Sequence, residues 1–259
     1  MKLEIKACLE YEFVSSTQVL MSIEASRSRD QDILSESLVF EPQAPLHTDE
    51  TLEGDRQLRT LFSGHVRIRY NAVIENRMRP LLPTQGRLHA WDELPHFTFP
   101  YLLPSRFCPS DRFMRFAQRE FSQSGDGVAR VMAILDWIRE HVDYVHGISD
   151  AQTTALGTFV DRAGVCRDFT HLAITFCRAI GVPARAVSAY ALDLQPADFH
   201  AVLEVYLEDA WWLVDPTRLA PVGGLVRIGS GRDASDIAFM TTDQPCQLIE
   251  KSVRVALAA

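Results

Sequence analysis

Three residues of this chain have the types and the order that acyl transfer by a thiol requires: Cys166, then His200, then Asp215. Cys166 stands in GVCRDFTHL, residues 164–172, where a Gly-Val pair leads straight into a helical pattern. A thiol attacks carbonyl carbon as its thiolate, and the unpaired N–H groups and dipole of a helix N-terminus favour that anion. Gly164 permits the sharp turn that such a start needs. Taken alone, a cysteine opening an apolar helix is more often a packing residue, because free cysteine is among the most buried residue types. A base, and a group to orient it, would make it a nucleophile.

FHAVLEVYLEDAWWLVDPT, residues 199–217, supplies both on one hairpin. If Glu208-Asp209 is a two-residue turn, Leu207 pairs with Ala210, Tyr206 with Trp211, Glu204 with Leu213, and Val202 with Asp215. Strand alternation then puts His200, Val202, Glu204 and Tyr206 on the same face as Trp211, Leu213 and Asp215. His200 and Asp215 become diagonal neighbours, roughly 7 Å apart between backbones, so a carboxylate can hold the imidazole. A turn one residue longer would put them on opposite faces. Asp215-Pro216 ends the strand, which suits a side chain pointing from a sheet edge into a cleft. Singly, His200 reads as a hydrogen-bonded structural histidine and Asp215 as a turn residue; together with Cys166 they have the order of a Cys-His-Asp triad.

Other residues near these motifs serve chemistry less well. Arg167 and Asp168 adjoin the cysteine and suit a local ion pair at the helix start, with Asp168 also a candidate for substrate contact. His171 is five residues on, about 140° around the helix from Cys166, and is a poor base. RIGSGRDASD, 227–236, lacks the lysine and spacing of a phosphate loop; it reads as a loop near the cleft, with Arg232 and Asp233 as candidate substrate contacts. His141 and His146 miss the i, i+4 spacing of a metal pair on a helix, and no loop of alternating acidic ligands suggests calcium. No metal or cofactor is expected. The Cys166 N–H is one candidate oxyanion donor, while Gln152 and Tyr144 qualify as a second by residue type alone and suit structural roles better.

The elements that must position these residues fall into two textures. Residues 3–13, 17–26, 32–41, 57–63 and 65–75 alternate with period two and predict a small antiparallel sheet or sandwich. Six of the thirteen prolines fall between Pro80 and Pro109, which forbids long regular elements; the aromatic content there predicts a packed connector rather than a loose linker. Helices follow over 110–121, from Asp126 through Val131, Ile134, Leu135, Ile138 and Val142, and from Cys166 to Ile180 with Gly181 to end it. Strand texture returns at 184–192, 199–207 and 211–217, and again in the tail RVALAA. The expected division is a β-rich unit at 1–90, a connector at 91–109 and a core at 110–259.

Length and composition agree with a globular enzyme. A chain of 259 residues, 47% hydrophobic, can bury a large core without disulfides. Its five cysteines are odd in number and form no CxxC pair, and MKLEIKACLEYEF alternates like a strand where a signal peptide needs an apolar run. A cytoplasmic address is the expectation. Lys and Arg number 26 against 34 Asp and Glu, with no basic stripe, so nucleic acid is not expected as a partner. No stretch of about 18 apolar residues exists, so no membrane partner is expected either.

Taken together, GVCRDFTHL, AIGVPARAV and DFHAVLEVYLEDAWWLVDPT resemble the bacterial branch of the transglutaminase-like superfamily, in which these blocks surround a Cys, a His and an Asp. The resemblance covers 100–245, including YLLPSRFCPSD and GRDASDIAF, and residues 1–90 resemble the β-rich region that precedes this core in bacterial members. It implies an α+β protein with a papain-like core, the nucleophile helix packed on an antiparallel sheet. It further implies Cys166 as nucleophile, His200 as base and Asp215 as its orienter. The expected activity is cysteine-dependent hydrolysis or acyl transfer at peptide or glutamine-type amide bonds, with a peptide, a protein or a small amide as substrate. An inactive peptide-binding scaffold is the alternative. Val202 departs from the family pattern, since many relatives carry an aromatic in a His-Ala-Trp triplet.

Overall fold

The structure is a computed structural model and describes residues 1–51 and 53–258. Apolar residues at every second position make Lys2–Met21 one long strand, β1, which buries Leu3, Ile5, Leu9, Tyr11 and Phe13 on one face. Gln31–Glu41 (β2), His47–Glu50 (β3) and Arg56–Asn76 (β4) follow, and β4 pairs with all three. The polar breaks that suggest separate strands at 3–13 and 17–26, and at 57–63 and 65–75, are not turns. The register merely shifts between Phe13 and Thr17, opposite Gly64 at φ +68°, so both strands run on through a bulge.

The proline-rich stretch holds no strand or α-helix, only short 3-10 turns at Trp91–Glu93 and His96–Tyr101. Leu94 and Leu102 from this stretch are buried against Tyr206. Beyond it come Met114–Phe121 (α1) and Gly127–His141 (α2), the latter capped by Asp126, whose carboxylate accepts from the Ala129 N–H at 2.9 Å. Two-residue strands Asp143–Tyr144 (β5) and Ala163–Gly164 (β6) flank Ala155–Asp161 (α3) and pair in parallel. Cys166–Ala179 (α4) comes next, and Gly181 at φ +87° lies just past its end.

A second sheet then forms from Ala184–Ala191 (β7), Phe199–Leu207 (β8), Ala210–Val214 (β9) and Leu225–Gly231 (β10), in the order β10-β7-β8-β9. One of its faces, through Ala184, Ala186, Leu203 and Val205, packs on Leu172, Ala173 and Phe176 of α4. Instead of showing one apolar stripe, α4 is buried all round from Asp168 to Ala179, because it lies between the sheet and α1–α3. Even Arg178 is buried there, its guanidinium donating to the carbonyls of Ala184 and Leu103 and to the Ser105 hydroxyl, each at 3.0 Å. Among the described residues, no helix is long and apolar enough to cross a membrane.

Ala234–Ile237 (α5) leads to Met240–Thr242 (β11) and Cys246–Leu257 (β12), both of which pair antiparallel with β1. The end of the span expected as a core at 110–259 therefore sits in the N-terminal sheet. Val253 and Val255 of β12 bring apolar side chains to that sheet's core, as do Tyr190, Val226 and Ile228 from the second sheet. The Tyr190 hydroxyl donates to the Ile23 carbonyl at 2.6 Å, and the Ser26 N–H to the Arg227 carbonyl at 2.8 Å. Two sheets thus share one apolar core, and no linker separates two units.

Candidate active site

The start of α4 is fixed by a buried carboxylate. Asp168 lies in the first turn with 0% exposure and accepts from the Val165 N–H at 2.9 Å, the Ser149 hydroxyl and the Arg167 guanidinium. Arg167 also donates to the Asp150 carbonyl at 2.6 Å, so the pair ties the 149–150 loop to the helix start. Asp168 therefore does not face the cleft as a substrate contact; its oxygens are engaged by the backbone turn they stabilise. Gly164 is required by space rather than by a special φ, since a Cβ there would come within 2.6 Å of the Asp168 Cβ.

Cys166 is half-buried at the mouth of a cleft of about 750 Å³. Cys108 and Cys177 are fully buried, and burial pushes both thiols up to about 12. The parallel pairing of Tyr144 with Gly164 brings the Tyr144 phenol against Cys166, close to both its backbone N–H and its thiol. Burial first, and the neighbouring Cys166 second, hold that phenol above its ordinary range, so it stays protonated as a donor. Sequence reasoning had no means to single it out from Gln152, because a two-residue parallel bridge leaves no periodic signal. Gln152 instead accepts from Arg106 at 3.2 Å on the cleft wall.

On the opposite wall, β8 and β9 turn through Glu208 and Asp209, both at positive φ (+49° and +58°), and the ladder pairs Leu207 with Ala210, Tyr206 with Trp211 and Glu204 with Leu213. β9 ends at Val214, so the part of β8 that carries His200 runs past its last paired residue. Asp215 follows directly, with its Oδ2 2.9 Å from His200 Nε2. Its own position is set by the Thr217 N–H at 2.9 Å and hydroxyl at 2.7 Å on Oδ1, and by the Ala220 N–H at 3.1 Å on Oδ2. Burial opposes the Asp215 charge, but the His200 ring and Thr217 outweigh it and keep the carboxyl below its usual range. An ionised Asp215 makes His200 Nε2 the donor. The other ring nitrogen, Nδ1, is buried without a hydrogen bond to protein, and the Cys166 thiol is its neighbour. Burial disfavours the charged ring, yet the Asp215 hydrogen bond and then Cys166 push it up to about 9.

The remaining expectations sort by burial. Asp233, 1% exposed, caps α5 by accepting from the Ser235 N–H at 2.9 Å and also accepts from the Phe107 N–H at 2.9 Å. Arg232 is exposed and pairs with Asp236 at 2.8 Å, outside the cleft lining; Ala234 and Ser235 line it instead. The Asp233 carboxylate thus serves N–H groups of the backbone around its own turn, and the Arg232 guanidinium serves Asp236. His171 stacks on Phe107 with ring centroids 5.1 Å apart and accepts from the Ala234 N–H at 3.1 Å; burial lowers it to about 4. Lys251 of β12 reaches the cleft and pairs with Asp198 at 2.6 Å, so the N-terminal sheet supplies one wall. Among the described residues, no group of three or more His, Cys, Asp or Glu side chains is arranged to hold a metal ion.

Comparison with known proteins places the family and the fold. Residues 115–216 match the transglutaminase-like superfamily, and residues 1–81 match the bacterial transglutaminase N-terminal domain. A crystal structure described as a "Putative Cysteine Protease" from Cytophaga hutchinsonii is 34% identical and superposes with a TM-score of 0.90, covering 99% of this chain and 90% of the other. An uncharacterized protein of Mycobacterium leprae is 27% identical over 146 residues, 53% of this chain; the match spans 52% of that relative's length. The α+β architecture, with a helix packed on an antiparallel sheet in the papain-like manner, is shared with the Cytophaga structure.

Proposed function

Since the chain belongs to the transglutaminase-like superfamily, we propose that it hydrolyses peptide or glutamine-type amide bonds through an acyl-thioester on Cys166. The observation that carries this reading is the pairing of a half-buried thiol with a histidine whose far nitrogen is held by a buried carboxylate at 2.9 Å. Cys166 passes its proton to His200 Nδ1, and the sulfur attacks the carbonyl carbon. The oxyanion accepts from the Cys166 N–H and from the Tyr144 hydroxyl. His200 then donates from Nδ1 to the departing amine as the C–N bond breaks, which leaves the acyl group on sulfur. In the second half, Nδ1 takes a proton from water, the hydroxide displaces sulfur, and a free acid leaves. Asp215 stays ionised throughout and keeps Nε2 as the donor.

Hydrolysis stands ahead of transfer to an amine in this reading, and a reducing, cytoplasmic address suits five unpaired thiols. Substrates are peptides, proteins or small amides. Intact-mass spectrometry after exposure to a panel of such compounds tests it: an acyl adduct should form on the chain and be absent from Cys166→Ala. No adduct and no turnover across the panel would leave a peptide-binding scaffold as the better description. A glutamine peptide offered with a labelled amine at millimolar concentration should give more free acid than amine product.

A further inference from the structure

The second sheet carries another cavity, on the face turned away from α4. Leu203 and Val205 face α4, so Glu204 between them points to the other side. There the register sets Arg185 of β7, Glu204 of β8 and Leu213 of β9 in one row. With Arg227 of β10 and the loops over that face, they enclose about 710 Å³, within the range of small-molecule sites. Glu204 lies four residues along β8 from His200, about 13 Å at strand rise, so this space is separate from the Cys166 cleft.

Its lining sets arginines against carboxylates. Glu204 is 3% exposed and divides its two oxygens between two arginines, accepting from Arg185 Nε at 2.7 Å and from Arg227 Nη2 at 2.5 Å. Arg185 lies over the Trp211 ring at 4.3 Å, with the Tyr101 ring 5.7 Å away, which fixes its plane. Among the described residues only its Nε is hydrogen-bonded, so the paired Nη edge is unused. Arg227 is 8% exposed, and its Nη1 is buried with no hydrogen-bond partner. A buried guanidinium N–H without an acceptor is costly, and the vacant Nη edge of Arg185 has the fork geometry of a carboxylate.

Among the described residues five arginines and four carboxylates line the cavity, which leaves an excess of one positive charge and suits a monoanion better than a phosphate. Phe97, Trp211 and Leu213 give the same space an apolar wall. We propose that this cavity binds a small monocarboxylate bearing an aromatic or branched apolar group, with its carboxylate on Arg185 and Arg227.

The test is independent of turnover. Calorimetric titration of the full chain with 3-phenylpropionate should show one saturable site, and the neutral isostere 3-phenyl-1-propanol should bind at least tenfold more weakly. Arg185→Lys keeps a cation beside Glu204 but removes the planar fork, and should weaken the acid at least fivefold at unchanged melting temperature. Should that variant misfold, Trp211→Phe gives a second reading with the same expected direction. Alkylation of Cys166 with iodoacetamide should leave the affinity as it was. Equal binding of acid and alcohol, no binding of the acid, or loss of binding on Cys166 alkylation would each overturn the proposal; the last would put the ligand in the cleft. None of these outcomes touches the reading of Cys166 as a nucleophile, which rests on adduct formation.

Discussion

Asp215→Asn isolates what holds the His200 ring charged. An asparagine keeps a carbonyl oxygen for the Thr217 N–H and hydroxyl, while the Ala220 N–H loses the acceptor that Oδ2 gave it. Toward His200 it presents an amide nitrogen, which cannot accept from Nε2 and so favours the tautomer with the proton on Nδ1. The ring stands at about 9, against 6.5 for a free imidazole, a difference of roughly 3 kcal/mol. Burial already works against the charge, and with the Asp215 bond and charge gone the ring should fall toward 6.5. At pH 7.5 a group at about 9 is about 97% protonated, and one at 6.5 is about 9% protonated. Long-range ¹H–¹⁵N spectra of ring-labelled protein at that pH read the difference directly, as two protonated nitrogens in the native chain and one in the variant. The linkage has a definite sign: a folded value above 6.5 adds stability that is fully present below pH 6.5 and is lost as pH rises through about 9. The urea midpoint should therefore decline over that window in the native chain and stay flatter in the variant. A ring that titrates at the same pH in both proteins would refute the assignment of the charge to Asp215.

Limiting iodoacetamide at about pH 6 should label Cys166 before Cys108 or Cys177, whose thiols burial pushes up to about 12, and the preference should fade in His200→Ala; peptide mapping reads both. Tyr144→Phe should lower kcat by roughly 100-fold with KM little changed if its hydroxyl serves the oxyanion, whereas a purely structural tyrosine would give a change in stability and normal turnover. Gly164→Ala forces a Cβ to within 2.6 Å of the Asp168 Cβ and should cost about 1–3 kcal/mol in urea denaturation; an unchanged midpoint would show that the helix start can shift without penalty.

His200 and Asp215 could be placed together from sequence because a two-residue turn has a parity, and Glu208 and Asp209 take the positive φ values that such a turn demands. The helix at Cys166 was equally legible from its apolar spacing and from Gly181. Pairings between distant segments were not. Nothing local in CQLIEKSVRVAL says that its partner is β1, since alternation specifies a strand but not its neighbour. Glu204 looked like an ordinary member of an alternating strand; that it is buried between Arg185 and Arg227 depends on three strands and the loops above them. The partners of Asp168 and Asp233 are hidden from sequence for a related reason. A charged residue beside a catalytic motif has the same letter whether it meets substrate or ties down a turn, and only burial separates the two.

The pairing of β12 with β1 has a consequence for biosynthesis. Among the strands described here β1 leaves the ribosome before the others and β12 after them, with 224 residues between Met21 and Cys246. At roughly 5–20 residues per second, β1 waits on the order of 10–45 s for the partner that completes its second edge. For that interval a nascent chain can pair β1 with β4 but must leave the far side of β1 open, from Leu3 to Phe13, as a template for any passing strand. Glu4, Lys6, Glu10 and Glu12 punctuate that stretch with charge, which hinders its pairing with a second nascent copy. The wall that Lys251 contributes to the cleft is built only when the wait ends, so the site is assembled only after β12 has been made.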